Sequence, residues 1–235
     1  MDYLDVTLED SEQSLALDED LLDQCERFGR ECLRVWQPTS PCVVAGHSNR
    51  SFDEIDLLAC RRLDIPVLRR HSGGGSVLLG PGCLNYSLVL NARASVELSG
   101  IRSTNSYVMG RLKRAVSEVT RREIDVSGFT DLAVGGRKFS GNAQYRRRNG
   151  ILFHGTLMLN LDIGLIEATL AIPAVAPGYR EGRSHRDFLT NLHESADDVK
   201  MALRLEWGAT PPDDARDREL PGQVVRADAQ RGGCA

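Results

Sequence analysis

Lysine is nearly missing from this chain: of 29 Lys plus Arg among 235 residues, only Lys113, Lys138 and Lys200 are lysine. At an exposed site the two bases exchange freely, so Lys113 and Lys200 need no special account. A lysine inside a motif does, because ammonium and guanidinium do different chemistry. A basic excess is also missing. The formal net charge is -4, which argues against a partner held through many phosphates, so no nucleic acid is expected. No apolar run approaches the ~20 residues a bilayer span needs, and the acidic start, MDYLDVTLEDSEQ, lacks the layout of a signal peptide. The expectation is a soluble, cytoplasmic protein with no membrane partner. The six cysteines, Cys25, Cys32, Cys42, Cys60, Cys83 and Cys234, form no CxxC pair. Neither a disulfide framework nor a zinc site is suggested, and most should be reduced thiols, several of them buried. No internal repeat is visible.

What is present is a chain 41% hydrophobic, enough for one sizeable core. Helical spacing of Leu15, Leu21, Leu22, Cys25, Phe28, Cys32 and Leu33 predicts an amphipathic helix over 12–35. PCVVAGH reads as a short buried strand, and Ser51 to Glu54 as a capping box opening a helix to about Leu63. From Pro66 to Leu90 the pattern is β: PVLRR, SVLL, a Gly80–Gly82 turn, then CLNYSLVL. A helix over 103–120 follows, and then a second β region of EIDV, DLAV, RKFS, AQYR and ILFHGTLML. Asn149 and Gly150 form a hairpin turn. In the returning strand Ile151, Phe153, Gly155, Leu157 and Leu159 share one face, and Leu152, His154, Thr156 and Met158 the other. Short helices should open at Asp162, Ser184 and Ser195, the last with a Val199, Leu203, Trp207 stripe. These elements imply an α+β fold, mixed or antiparallel sheets flanked by helices, with helices covering one side. One catalytic domain is expected over 1–208, and a disordered tail over 209–235.

Three constellations carry chemistry. Arg69 and Arg70 lead through His71 and Ser72 into Gly73, Gly74 and Gly75. Without Cβ atoms, backbone N–H groups there can approach an anion closely; a plain strained turn would look the same. The loop is neither a Walker A sequence nor a dinucleotide fingerprint. Second, Lys138 follows Arg137 on a strand leaving Gly135 and Gly136, with small residues after it. A compact ammonium can touch two oxygens in a narrow site where a guanidinium cannot fit. Third, His154 sits beside Gly155 and Thr156, as a donor, a base or a satisfied structural residue.

In this order and spacing, RRHSGGGSVLLGPGCLNYSLVL, DLAVGGRKFSGNAQ and ILFHGTLMLN closely resemble the lipoate-protein ligase group of the biotin/lipoate ligase family, from about Trp36 to Asn191, including Gly182 to His185. That resemblance implies the biotin/lipoate ligase catalytic fold. It also implies activation of lipoate or octanoate with ATP and Mg²⁺ to an acyl-adenylate, and transfer to a lysine of lipoyl domains of 2-oxoacid dehydrogenases or of the glycine-cleavage carrier protein. By match, Lys138 would be catalytic, bridging acyl oxygen and α-phosphate. Arg70, Ser72, Gly73, Gly74 and Gly75 would hold the acid and the phosphate, with Val77 and Asn85 in the same binding set. Asp131 would lie near the phosphates or hold Mg²⁺. Ser140, Gly141 and Ala143 would border the nucleotide, and His154, Gly155 and Thr156 would line the acyl tunnel.

Two departures qualify the likeness. Cys83 stands where the ligases often have Asn, which opens an alternative: an ATP-independent octanoyl or lipoyl transferase drawing on acyl carrier protein through a Cys83 thioester. Two-domain ligases also carry an accessory C-terminal domain, so a separate accessory subunit is one expectation and independent action another. A non-catalytic lipoate-binding protein is the third reading.

Overall fold

The computed structural model describes residues 1–47 and 52–212. In chain order the elements are β1 (Asp2–Asp5), α1 (Ser11–Phe28), β2 (Cys32–Trp36), β3 (Cys42–Ala45), α2 (Leu57–Arg62), β4 (Val67–Arg69), β5 (Val77–Leu79), β6 (Cys83–Asn91), α3 (Ile101–Thr120), β7 (Asp125–Ser127), β8 (Asp131–Val134), β9 (Arg137–Arg146), β10 (Gly150–Met158), α4 (Ile163–Thr169), α5 (His185–Phe188) and α6 (Ala196–Trp207). They build a seven-stranded sheet, β1-β2-β6-β10-β9-β8-β7, and a three-stranded one, β4-β3-β5. Only β1/β2 and β3/β4 pair in parallel. This is the α+β class the sequence implies.

Local chemistry accounts for most boundaries. Asp10 caps α1 by accepting from the Glu12 N–H, and Gly29, at φ 70°, ends it with its N–H on the Cys25 carbonyl. Glycine reaches that left-handed conformation without steric cost. The helix expected over 12–35 therefore stops at Phe28, and Cys32 and Leu33 begin a strand that is buried along its whole length. A fully buried strand shows no alternation, so its apolar residues also fitted the helical period. The helix expected from Ser51 opens instead at Asp56, whose side chain accepts from the Ala59 N–H; Ser51 itself lies outside the described residues. Asp162, Ser184 and Ser195 are N-caps as expected.

Both faces of the large sheet are covered, not one. On one face Val108, Met109, Leu112 and Val116 of α3 and Val199 and Leu203 of α6 join Leu33, Val35, Leu84, Leu88, Phe153 and Leu157 of the sheet. On the other, Leu17, Leu21, Leu22 and Cys25 of α1 meet Cys32, Val89 and Leu152. The one-sided expectation came from the order of elements, which does not show that the second face, with Arg34, Ser87 and His154 on it, is covered by α1. Arg34 is fully buried. Its guanidinium meets Asp18 Oδ1 at 2.7 Å and donates to the Ser14 and Val6 carbonyls. Asp18 Oδ2 accepts from Ser87 Oγ at 2.6 Å.

Ala209 and Thr210, expected at the start of a tail, belong to the folded part. Ala209 is buried, and Thr210 exchanges backbone hydrogen bonds with Met1 and Tyr3 beside β1. Residues 213–235 lie outside the described residues. Among the described residues no helix is long and apolar enough to cross a membrane.

Because Asp18→Ala leaves the Arg34 charge buried without its counter-ion, we expect it to cost about 3–5 kcal/mol of folding stability. Chemical denaturation of the two proteins measures this, and a loss under about 1 kcal/mol would show that the pair is not coupled as drawn.

Candidate active site

The strand register places two rungs of side chains on the α1 face of the large sheet. One runs Asp131, Gly141, Thr156, Asn85, Trp36; the other runs Ala143, His154, Ser87, Arg34. Rungs two residues apart lie about 7 Å from each other. Everything the sequence singled out is built onto or beside these rungs, with the exceptions noted below.

The glycine loop joins β4 to β5 and is tied from within. Arg70 donates from Nε to Ser72 Oγ at 2.9 Å, from one terminal nitrogen to the Val44 carbonyl at 3.2 Å, and from the other to the Gly73 and Gly75 carbonyls at 3.0 and 2.8 Å. Three of its five N–H donors are thus spent on the loop and a fourth on β3. Burial lowers its pKa to about 10 against the pull of Glu54, so it remains a cation at neutral pH. Arg70 shapes the cradle more than it faces into it. Gly74 has φ 94°, and a Cβ on Gly46 would lie 2.0 Å from the Gly74 carbonyl oxygen, so neither position has room for a side chain. At the far end of the loop the Ser76 N–H donates to Glu54 Oε2 at 3.0 Å.

Ser72 then reaches across to the large sheet. Its oxygen accepts from Arg70 and forms a second hydrogen bond with His154 Nε2, 2.6 Å away. Burial, chiefly, pushes the His154 pKa down to about 4; Asp18 opposes this and Arg70 adds to it. The ring is neutral at pH 7. His154 Nδ1 stands 4.0 Å from Asp18 Oδ2, too far for a hydrogen bond. Ser72, His154 and Asp18 mimic the order of a nucleophile triad, but that gap and the 1% exposure of Ser72 make the group a clasp between the two sheets.

Lys138 owes its direction to a bulge. Leu132 pairs with Ser140 but Ala133 pairs with Lys138, skipping Phe139. The extra residue turns Lys138 onto the face shared by Asp131 and Gly141. Its Nζ lies 2.8 Å from Asp131 Oδ1 and 3.0 Å from where a Cβ of Gly141 would stand, so glycine leaves the ammonium its berth. Asp131 Oδ2 accepts from the Tyr179 hydroxyl at 2.8 Å. Next on the rung, Thr156 Oγ1 donates to Asn85 Oδ1 at 2.6 Å, while the buried Asn85 Nδ2 has no hydrogen-bond partner. An orphaned buried amide at such a place is a donor awaiting a ligand or a water. Val77 packs with Trp36, the last member of that rung.

Not every expected residue joins. Ser140 and Gly155 face the opposite side, where Ser140 Oγ lies against Asn142 and a Cβ at Gly155 would fall 1.7 Å from Asn142 Oδ1. The Tyr86 hydroxyl donates to that same oxygen at 2.5 Å. Cys83 is wholly buried, and burial pushes its thiol up to about 12; a thiolate nucleophile is not prepared there. All five cysteines among the described residues are buried. As for Mg²⁺, both Asp131 oxygens are engaged, and among the described residues no three His, Cys, Asp or Glu cluster as ligands. The protein groups alone do not fit a resident metal; one carboxylate plus substrate phosphates is the form Mg²⁺ usually takes.

Sequence reasoning missed Asp18 and Tyr179. Asp18 falls among the buried α1 positions Ser14, Leu17, Leu21 and Leu22, and an acid on an apolar stripe is a legible signal. Tyr179 lies in a one-turn segment, Gly178–Arg180, after an Ala- and Pro-rich stretch with no periodicity to mark it.

Comparison with known proteins gives the family and the fold. Residues 10–204 match the lipoyl protein ligase A/B catalytic domain, and the chain belongs to that enzyme family. Subunit 1 of lipoate-protein ligase A from Thermoplasma acidophilum is 27% identical over 81% of this chain and 76% of its own length. Lipoate–protein ligase 1 of Staphylococcus aureus is 27% identical over 72% of this chain, which spans 52% of that longer protein. Octanoyltransferase LipM of Carboxydothermus hydrogenoformans is 26% identical over 64% of this chain and 62% of its own length. Among solved structures, the T. acidophilum protein with bound lipoic acid superposes with TM-score 0.78 at 19% identity, covering 98% of this chain and 94% of its own. A lipoate-protein ligase A bound with ATP gives 0.79 at 20% identity, covering 96% and 94%. A bipartite T. acidophilum ligase, described with its E2 lipoyl domain, gives 0.78 at 20% identity, covering 96% and 91%. These share the fold.

The clasp should be pH-sensitive in a definite direction. His154 binds its proton more weakly folded than unfolded, so its contribution is complete above pH 6.5 and is lost as pH falls toward 4. Between pH 7 and pH 5 the wild-type chain should lose about 2 kcal/mol more stability than His154→Gln. Urea titrations at the two pH values measure the difference, and parallel losses would exclude a neutral buried ring.

Proposed function

We propose that the chain is an ATP-dependent lipoate ligase, joining lipoate or octanoate to AMP and then to a carrier lysine. The observation that carries this reading is Lys138, turned by the bulge onto the sheet face that also holds Asn85, Thr156 and the Ser72–His154 clasp. Attack of a carboxylate on an α-phosphate brings two anions together, and fixed positive charge must stand where they meet. The Lys138 ammonium supplies it, with room made by Gly141. The loop from Ser72 to Gly75, shaped from behind by Arg70, offers backbone donors to phosphate, and the unpartnered Asn85 amide offers one more. Relatives solved with lipoic acid and with ATP support both substrates. Mg²⁺ would arrive with the nucleotide. A lipoyl domain as acceptor, and a second polypeptide as helper, have their precedent in the bipartite archaeal ligase.

The transferase reading has octanoyltransferase relatives in its favour but would need its thioester on Cys83, which is buried and held as the thiol. It stands second. A silent lipoate binder stands third, because it leaves the placement of Lys138 without a use.

The test is a matched assay on an apo lipoyl domain: lipoate with ATP in one arm, octanoyl-carrier protein without ATP in the other, together with lipoate-dependent exchange of pyrophosphate into ATP. Exchange should appear. Lys138→Ala should lower it about a hundredfold, roughly 3 kcal/mol of transition-state stabilisation, and Cys83→Ser should retain it. Transfer confined to the ATP-free arm, or exchange undiminished in Lys138→Ala, overturns the reading.

A further inference from the structure

We propose that Tyr179 is a positioning residue for Lys138, acting through Asp131; the catalytic part of this inference rests on the ligase reading above. The three groups form one chain: the Tyr179 hydroxyl on Asp131 Oδ2 at 2.8 Å, and Asp131 Oδ1 on Lys138 Nζ at 2.8 Å. A lone carboxylate beside Lys138 could swing away from it and leave the ammonium unanchored. One hydrogen bond from a phenol prevents this. It fixes the carboxylate plane, leaving Oδ1 toward Lys138 and the ammonium pointed onto the site face.

Tyr179 is itself held from several sides. Its ring packs on Phe188 with centroids 5.0 Å apart, and its carbonyl accepts from Arg183 at 2.6 Å. Its edge lies against Gly128, where a Cβ would come 3.6 Å from the ring and where φ is 58°. Burial, followed by the charge of Asp131, drives its pKa far up. The phenol therefore remains a donor throughout the working pH range. Arg183 also donates to the Gly136 carbonyl, so the segment that carries Tyr179 is tied to the turn from which the Lys138 strand leaves. The alternative, that the ring is there only to fill space between α5 and the β7–β8 turn, would be satisfied equally by phenylalanine.

That contrast sets the experiment. Tyr179→Phe keeps the ring and removes one hydrogen bond; Tyr179→Ala removes both. The near-absence of lysine supplies a readout independent of catalysis: brief labelling with an amine-reactive ester, followed by peptide mass spectrometry, compares Lys138 with Lys113 and Lys200 in the same molecule. In Tyr179→Phe, Lys138 should label several-fold faster, with the other two lysines and the melting temperature unchanged. Pyrophosphate exchange should lose about tenfold in kcat, with KM for the acid unaltered. The double variant Tyr179→Phe/Asp131→Asn should be no worse than Asp131→Asn alone, because both changes cut one chain. Lys138 labelling unchanged in Tyr179→Phe overturns the placement whether or not the chain is a ligase. Changed labelling with exchange at the wild-type rate, or losses that add in the double variant, overturns the catalytic role. A wild-type chain without exchange removes the ligase reading and leaves the labelling arm to decide the placement.

Discussion

The hydrogen bond from Ser72 to His154 joins two sheets that share no strand pairing, and the site exists only because they are joined. On one side of it is a glycine loop held in shape by Arg70; on the other is a sheet face whose polar rungs end in Lys138 and Asp131. The imidazole in this bond is neutral at pH 7. Burial provides that, and the buried Asp18 carboxylate, already paired with Arg34 and Ser87, faces the ring without binding it.

The division of labour among cations follows from geometry. An arginine with three donors turned toward its own loop and a fourth on the neighbouring strand is a scaffold, since a planar fork satisfies several carbonyls at fixed angles where an ammonium would leave some unmet. The lysine on this face, paired with Asp131, is compact enough to rest over Gly141.

How much of this could be read from the sequence depended on the kind of information each feature needs. Alternation alone put His154 and Thr156 on one face, and the caps at Asp162, Ser184 and Ser195 came from residue type. The motifs near Arg70 and Lys138 identified the family. The end of α1 was misplaced because β2 is buried on both sides and so lacks the period of two. That Lys138 shares the face of Gly141 could not be read, since it depends on a bulge at Phe139 that is defined only by pairing with β8. Arg70 looked like a ligand contact because the Val44 carbonyl that claims it is 26 residues away. Tyr179 was missed because its partner is 48 residues distant and its neighbours carry no pattern.

The bridge between Thr210 and the first strand has a bearing on anything attached downstream. It seals part of an otherwise bare sheet margin and sets Thr210 outside the outermost strand. From there to the strand bearing Lys138 is five inter-strand spacings, about 24 Å. Whatever follows Pro212 in the chain sets out from the border of the sheet away from the reacting centre, and about seven extended residues would span that distance.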